Sequence, residues 1–290
     1  MTFYVIGNGF DCHYGLKTSY FHFKKFLLDN GYGELVHRVD TLFWERGYSP
    51  YEIEYWSDFE NMLTVFGQLY ADDIYNEAMD NAETDDDRAG YWDSPAWNVG
   101  FYNQYIKVLK EQFDLWINEM DVTIEPDHYF CPECGDFVLN FNYTPTIERN
   151  FDIKGTQILH IHGTTDQEII LGHNEYQDPD LFSVIEDEDS DYRDVTTRKA
   201  VNDVLKQASV QYFKNSSELL MRHAHVFENI VNYDRVIFMG LSCGDQDSIY
   251  VQEIVKHAKQ IVFYYHGDTA KENMEYFVNG LDIPVEYMYW

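Results

Sequence analysis

Basic residues are scarce in this chain of 290 residues. It has 20 lysines and arginines against 51 aspartates and glutamates, which gives a formal net charge of −31. A chain with this charge repels both the phosphate backbone of nucleic acids and the anionic surface of a membrane. We therefore expect neither a nucleic-acid partner nor a membrane partner.

Cysteines are also few, and long apolar runs are missing. Four cysteines are too few to cross-link a chain of this length, which favours a reducing compartment. No stretch reaches the roughly 20 apolar residues that a membrane-spanning helix requires. The segment from Met1 to Gly7 lacks the basic start of a secretory signal peptide. Together these features predict a cytoplasmic protein.

Aromatic residues, by contrast, are plentiful, with 24 tyrosines, 20 phenylalanines and 6 tryptophans, so the chain can bury a large core. Short apolar runs of the kind that is buried on both faces of a parallel sheet recur along it. The predicted strands are Phe3–Ile6, Phe137–Tyr143, Ile158–Ile161, Ile169–Leu171, Arg235–Met239, Ile261–Tyr265 and Val285–Trp290. Helical patterns alternate with them, which predicts an open, mostly parallel α/β sheet with helices on both faces.

The stretch between the first two strands is too long for a single crossover helix. Most of it is helical in pattern, over residues 56–70 and 96–120. We therefore predict one domain over residues 1–290 with a helical insertion at 44–125. Capping-box spacing at Ser57 and at Thr269 predicts helix starts, and Gly280 fits a helix end.

Glycine turns follow two of the predicted strands. Gly7-Asn8-Gly9-Phe10-Asp11 would let the backbone approach a ligand, and the next helix would offer free N–H groups to a phosphate. Gly240, Ser242 and Asp245 lie in a second turn of this kind, and Asp247 there suits a helix cap. The alternative is a tight turn before an ordinary helix.

Polar residues follow two other strands. The Asn142 amide could hold a ribose hydroxyl or orient a water, or it could simply cap its own turn. In His160-Ile161-His162-Gly163, a histidine next to glycine could act as general acid or base. Two alternatives remain, a core histidine, above all at His160, and a pair of metal ligands. His173 is a further candidate for either role.

Cys131-Pro132-Glu133-Cys134 has half of a zinc-knuckle spacing. No second pair with this spacing exists, although His128 is close in sequence. A reduced turn is therefore favoured over a zinc site, and no metal is expected.

In this order the motifs resemble the AbiH family of bacteriophage abortive-infection proteins. The resemblance rests on Gly7-Asn8-Gly9-Phe10-Asp11, Gly15-Leu16-Lys17-Thr18-Ser19-Tyr20, Trp56-Ser57-Asp58-Phe59-Glu60, Phe141-Asn142-Tyr143-Thr144, His160-Ile161-His162-Gly163 and Gly240-Leu241-Ser242-Cys243-Gly244-Asp245-Gln246-Asp247. The same order of motifs is similar to that of the sirtuins, which have a Rossmann-like fold. That resemblance implies NAD contacts at Gly7, Asn8, Gly9, Phe10, Asp11, Gly163, Gly240, Ser242 and Asp245, and catalytic roles for Asn142 and His162.

The chain departs from the sirtuin pattern at several points. Asp11 replaces a serine, Thr144 replaces an aspartate, and the four-cysteine zinc module is absent. These departures argue against protein deacylation and leave room for NAD hydrolysis.

The resemblance therefore implies an anti-phage protein that cleaves NAD, or a related nucleotide, at the nicotinamide–ribose bond. It would be an NAD glycohydrolase-type enzyme, with a phage-derived trigger and assembly into a homo-oligomer. Two alternatives remain. One is a non-catalytic nucleotide-binding sensor that signals to a partner, and the other is a metal-dependent hydrolase or nuclease that uses His160, His162, His173 and carboxylates.

Overall fold

The centre of the fold is a parallel β-sheet. The computed structural model describes residues 1–49, 55–65, 94–174 and 192–290. In this part of the chain the strands are β1 (Thr2–Ile6), β2 (Phe137–Asn140), β3 (Gln157–His160), β4 (Arg235–Met239), β5 (Ile261–Tyr265) and β6 (Val285–Tyr289). Their order is β3-β2-β1-β4-β5-β6, and each neighbouring pair is parallel. This is the strand order of doubly wound dinucleotide-binding folds, so the predicted α/β, Rossmann-like class is confirmed.

Three strands end earlier than predicted, and one of them is β6, which ends at Tyr289 instead of Trp290. β2 stops at Asn140 because the Asn142 N–H donates to the Asn140 side chain instead of continuing the ladder. β3 stops at His160, so His162 lies beyond the strand. The predicted strand Ile169–Leu171 is wrong. The Ile170 N–H donates to the His162 carbonyl, in a loop that folds back on the edge of the sheet.

Helices and short 3₁₀ turns connect the strands. The described helices are α1 (Asn8–His13), α2 (Tyr20–Asp29), α3 (Gly33–Glu45), α4 (Phe59–Met62), α5 (Ser94–Glu119), α6 (Thr146–Asn150), α7 (Tyr192–Gln211), α8 (Ser216–Arg222), α9 (Ala224–Glu228), α10 (Ser248–His257) and α11 (Asp268–Val278). The prediction for 96–120 is thus confirmed by α5. Of 56–70, residues 66–70 lie outside the described residues.

Three predicted helix ends can be compared with the structure. Gly280 has a φ of 79°, the left-handed conformation expected just after a helix. The two capping boxes are wrong. Ser57 lies inside a 3₁₀ turn that precedes α4, and α11 begins at Asp268, one residue before Thr269. Spacing alone did not find these caps because the first turn forms earlier than the pattern suggests.

Both faces of the sheet are covered. Alternate side chains of β1 point to opposite sides, with Phe3 in one apolar cluster and Tyr4 in the other. On the Phe3 side, the core is completed by residues of α8–α11, such as Leu219, Phe227, Val251 and Met274. On the Tyr4 side it is completed by Phe10 of α1, Phe130 and Ile147 of α6. Helices on both faces are therefore confirmed.

The chain divides into two compact units. The first comprises Met1–His22, Trp116–Ile170 and Asn215–Trp290, and it contains the whole sheet. The second comprises Phe23–Leu115 and Leu171–Lys214 and has an aromatic core of its own, in which Phe23 meets Phe113 with ring centroids 5.1 Å apart. Residues 50–54 and 66–93 of the predicted insertion lie outside the described residues, so its bounds at 44–125 stay a prediction. No described helix is both long enough and apolar enough to cross a membrane.

Candidate functional site at the carboxyl edge of the sheet

Four strand ends form one row at the carboxyl edge. In the register of the sheet, Ile6 of β1 is paired with Asn140 of β2 and with Met239 of β4, and Asn140 is paired with His160 of β3. The loops that follow these strands therefore start at the same level. Open α/β sheets bind ligands at this edge, where the order of strands reverses, and here that point lies between β1 and β4.

The two glycine turns cross each other at this reversal point. The Gly7 N–H donates to the Met239 carbonyl at 3.0 Å, and the Gly9 N–H donates to the Gly240 carbonyl at 2.7 Å. A Cβ on Gly9 would lie 2.8 Å from the Gly240 backbone. Gly240 has a φ of 70°, and a Cβ there would lie 2.1 Å from the Phe10 nitrogen. Only glycines fit where the two backbones touch.

This crossing uses the amides that were expected to hold phosphate. Besides those of Gly7 and Gly9, the Phe10 N–H donates to the Gly7 carbonyl at 2.9 Å. All three amides are therefore engaged within the protein. A phosphate at this turn would need other donors, and Asn8 and Ser242 are exposed side chains of the two turns.

The remaining residues predicted at the glycine turns have mixed surroundings. Phe10 is fully buried and packs edge-on against Tyr14 and Phe130, so its side chain belongs to the core. Asp245 is exposed, and its carbonyl accepts a hydrogen bond from the Ser248 hydroxyl at 2.8 Å. In the second turn, Cys243 has a φ of 53°, a left-handed conformation uncommon for a residue with a side chain.

Asp11 is the most unusual residue of the first turn. Its side chain is buried, with 1% of the residue exposed, and its Oδ2 accepts a hydrogen bond from the Thr144 hydroxyl at 2.5 Å. The Thr146 hydroxyl donates in turn to Thr144 at 3.1 Å. Asp11 Oδ1 has no hydrogen-bond partner among the described residues. The carboxyl of α1 thus reaches the loop after β2.

Burial is the main cause of the shifted pKa of this carboxyl. Loss of solvent raises the pKa of Asp11 to about 6, although the nearby side chains of Thr144, Thr146 and Asn142 favour the charged form and oppose the shift. Near neutral pH this carboxyl therefore gains or loses a proton with a small change in its surroundings.

Asn142 is held by both of its backbone groups. Its N–H donates to Asn140 Oδ1 at 3.0 Å, and its carbonyl lies 2.8 Å from His160 Nδ1. The turn is therefore made by the Asn140 side chain, and Asn142 does not cap itself. Asn142 is 6% exposed, and its Oδ1 has no partner in the described part of the chain.

His160 is a buried histidine with both ring nitrogens engaged. Nδ1 faces the Asn142 carbonyl, and Nε2 lies 2.7 Å from Glu148 Oε1 on α6. Burial alone would raise the pKa of Glu148, but the hydrogen bond and the charge of His160, with smaller contributions from the backbone and from Arg149, together lower that pKa. A carbonyl and a carboxylate can only accept, so this pair is complete when both ring nitrogens carry protons.

His162 follows β3 and lies among aromatic rings. Only 2% of the residue is exposed, and its ring centroid is 5.6 Å from that of Phe141, 6.3 Å from Tyr143 and 5.7 Å from Tyr250. Gly163 then turns the chain with a φ of 80°, and a Cβ there would lie 2.0 Å from the Glu168 carbonyl. A glycine after His162 is thus required by the turn.

The other predicted ligands were Cys131, Cys134 and His173. Cys131 and Cys134 are free, and the Asp136 N–H donates to the Glu133 carbonyl in a turn with Gly135 at a φ of 94°. His173 belongs to the second unit, where its backbone bonds to Tyr212 and Lys214. Within the described residues, no group of three or more His, Cys, Asp or Glu side chains is placed to hold a metal.

Three contributors to this edge were missed from the sequence, namely Asn140, Thr146 and Glu148. Each supports a predicted residue through a hydrogen bond, to Asn142, to Thr144 and to His160 respectively. The available signal was the density of polar residues after β2, which single motifs did not use. The pairing of Glu148 with His160 has no local signal because twelve residues and a strand connection separate them.

Comparison with known proteins gives one family. The model of the family described as bacteriophage abortive infection AbiH matches residues 3–265. No curated protein and no solved structure matches the chain. The matched segment includes β1 to β5 and all the glycine, asparagine and histidine motifs of the carboxyl edge. The chain therefore belongs to the AbiH family of bacteriophage abortive-infection proteins.

Proposed function

We propose that this protein acts in abortive infection by hydrolysing NAD, or a closely related nucleotide, at the bond between nicotinamide and ribose. The sirtuin-like resemblance of the motifs suggests this chemistry. The fold supports it because the strand order is that of dinucleotide-binding sheets, with the glycine turn of β1 at the point of reversal.

One observation carries the proposal. Asn140 and His160 are paired between neighbouring strands, so Asn142 and His162 lie at equivalent positions two residues beyond the pair. An amide oxygen without a partner among the described residues and an imidazole ring thus follow adjacent strand ends. Such a pair suits a ribose, whose hydroxyl needs an acceptor and whose attacking water needs a base.

The proposed reaction uses these side chains in sequence. Asn142 accepts a hydrogen bond from a ribose hydroxyl and fixes the sugar. The bond from C1′ to the nicotinamide nitrogen breaks, and its electron pair neutralises the pyridinium ring. Water attacks C1′ and passes its proton to His162. The products are nicotinamide, ADP-ribose and one proton, which His162 releases to solvent.

The buried position of His162 fits a protein that must stay silent before infection. A ring with 2% exposure between Phe141, Tyr143 and Tyr250 is shielded from bulk solvent. We expect the surrounding loops to open when the ligand and a phage-derived trigger are present. Shielding of this kind would prevent an NAD-depleting enzyme from harming an uninfected cell.

The test is NAD consumption in bacterial cells that express the chain. After phage infection, nicotinamide and NAD are quantified by chromatography, and the same assay is run on purified protein. We expect wild-type cells to lose NAD, and His162→Ala cells to keep it. His257→Ala is the matched control, since His257 pairs with Glu253 on α10, away from the strand ends. Equal NAD loss in wild type and His162→Ala would exclude the proposed base.

A second candidate is a nucleotide-binding sensor without catalysis. The observation that favours it is the 2% exposure of His162, because a base shielded from solvent does not reach an attacking water. A sensor would bind NAD in calorimetry and release no nicotinamide, with or without infection. NAD binding together with nicotinamide release would favour the enzyme over the sensor.

A further inference from the structure

The carboxyl edge contains a chain of hydrogen bonds that ends on Asn142. Glu148 on α6 contacts His160 Nε2 at 2.7 Å, and His160 Nδ1 contacts the Asn142 carbonyl at 2.8 Å. From the other side, Asn140 Oδ1 accepts the Asn142 N–H at 3.0 Å. Both backbone groups of one loop residue are therefore held by side chains, where loops usually rely on solvent.

This arrangement fixes a residue whose own side chain is left unsatisfied. Asn142 Oδ1 is buried and, among the described residues, has no hydrogen-bond partner. A buried acceptor without a partner costs about 1–3 kcal/mol, and such groups in native proteins tend to mark functional sites. Asp11 Oδ1, near the same loop, is in the same condition. In the part of the chain that the structure describes, the carboxyl edge thus has two buried oxygens without a hydrogen-bond partner.

We infer that Glu148 and His160 form a positioning pair that, together with Asn140, holds the Asn142 amide oxygen ready for a donor group of the ligand, a ribose hydroxyl. This inference rests on the proposed function for the identity of the ligand. The hydrogen bonds themselves do not depend on it. Glu148 acts through His160 and touches no ligand, so it is a positioning residue.

The pair acts through the strength of its hydrogen bonds. A charged carboxylate opposite a protonated imidazole forms a bond roughly twice as strong as a neutral one. Glu148→Gln keeps the size and one acceptor of the side chain but removes the charge. The His160 ring then loses its fixed orientation, and its bond to the Asn142 carbonyl weakens.

The chain offers a matched control for this change. Glu253 contacts His257 at 3.1 Å, in a pair of the same two residue types on α10. Both residues of this control pair are partly exposed, and neither bonds to a strand-end loop in the described part of the chain. Glu253→Gln therefore removes the same charge without the proposed consequence.

The experiment combines amide hydrogen exchange by NMR with NAD kinetics on the three full-length proteins. In Glu148→Gln we expect the Asn142 amide, which stays bonded to Asn140 Oδ1, to exchange about tenfold faster, because the weaker bond at the Asn142 carbonyl lets the loop open more often. The Phe238 amide inside β4 should exchange as in wild type. We also expect kcat/KM for NAD to fall about tenfold, with kcat within a factor of about two, because the pair orients the amide that fixes the ribose by accepting a hydrogen bond from its hydroxyl. Glu253→Gln should match wild type in every measurement.

Two results would overturn the inference. One is an Asn142 amide that exchanges at the wild-type rate in Glu148→Gln. The other is a parallel increase at Asn142 and Phe238, which would assign Glu148 a role in global stability alone. Failure of the proposed function looks different, because wild type would then release no nicotinamide. The exchange rates still decide on the positioning pair in that case.

Discussion

Two regions of the carboxyl edge differ in how they satisfy their polar groups. At the crossing of the β1 and β4 loops, the backbone amides of Gly7 and Gly9 bond to carbonyls of the other loop, and no space remains for a side chain. After β2 and β3, side chains dominate. There Asn142 keeps a buried oxygen without a partner among the described residues, and so does the Asp11 side chain, which reaches this loop from α1.

This difference distinguishes the glycine crossing, which packs two loops together, from the side chains after β2 and β3, which can contact a ligand. A glycine-rich turn after a strand was expected to hold phosphate, yet its close contacts here serve to bring two backbones together. Among the described residues, one unsatisfied oxygen belongs to Asn142 in the loop after β2, and the other belongs to Asp11 of α1, whose side chain reaches that loop. A buried acceptor without a hydrogen-bond partner destabilises the protein, so it indicates a ligand site better than a turn whose amides are all hydrogen-bonded.

The largest effect is expected from a substitution that disrupts the crossing of the two glycine turns. Gly240→Ala places a Cβ 2.1 Å from the Phe10 nitrogen in a residue with a φ of 70°. We expect a loss of more than about 4 kcal/mol in the free energy of unfolding, or no folded protein, because backbone atoms must move apart. Urea denaturation followed by circular dichroism measures it.

Gly280→Ala is the control for that substitution. Gly280 has a φ of 79°, but a Cβ there would meet no described atom within 4 Å. We expect a cost of about 1 kcal/mol from the left-handed conformation alone. Equal costs at the two positions would show that the contact between the loops is unimportant.

The next effect concerns the buried carboxyl of the other region. The pKa of Asp11 is raised to about 6 from 3.8, so as pH rises the unfolded chain loses this proton before the folded one. The free energy of unfolding therefore falls between pH 4 and 7, by up to about 3 kcal/mol. Asp11→Asn removes this loss. Its stability relative to wild type should rise over the same range in denaturation at several pH values.

Asp234 is a control whose contribution to stability has the opposite pH dependence. Its hydrogen bond with the Met1 ammonium lowers the pKa of Asp234, so its contribution is present at neutral pH and lost as pH falls. Asp234→Asn should therefore be less stable than wild type at pH 7 and approach it in acid. A parallel trend in both variants would indicate general charge repulsion instead of burial at Asp11.

A smaller effect is expected from the hydroxyl that faces Asp11. Thr144→Val removes the donor to Asp11 Oδ2 at 2.5 Å and leaves a second oxygen unsatisfied. The free energy of unfolding at pH 7 should fall by about 2 kcal/mol. Thr156→Val, which removes an exposed hydroxyl that bonds to the Glu133 carbonyl, should cost less than about 0.5 kcal/mol. A Thr144→Val protein as stable as Thr156→Val would refute the role of this donor.

The smallest effect tests whether the crossing contributes to binding at all. Ser242 is exposed beside the crossing, and it is one of the remaining candidates to touch a phosphate. Ser242→Ala should raise the KM for NAD by up to about tenfold, the value of one hydrogen bond. The Thr156→Val protein serves again as control, since Thr156 precedes β3 at the opposite edge. An unchanged KM would restrict the ligand contacts to the loops after β2 and β3.

The sequence by itself determined the strands and their class. Continuous apolar runs gave β4 and β5 with the bounds that the structure has, because strands buried on both faces need apolar side chains at every position. It also placed the polar motifs after strand ends. Parallel strands bring such positions to one edge, so their convergence follows from the class of the fold.

Only the tertiary structure decided which of the described polar groups have a hydrogen-bond partner and which do not. The pairing of Glu148 with His160, the reach of Asp11 to Thr144 and the use of the Gly9 amide by Gly240 all join residues from different elements. Local patterns report side-chain type and spacing, whereas the satisfaction of a hydrogen-bonding group depends on what the rest of the chain places opposite it.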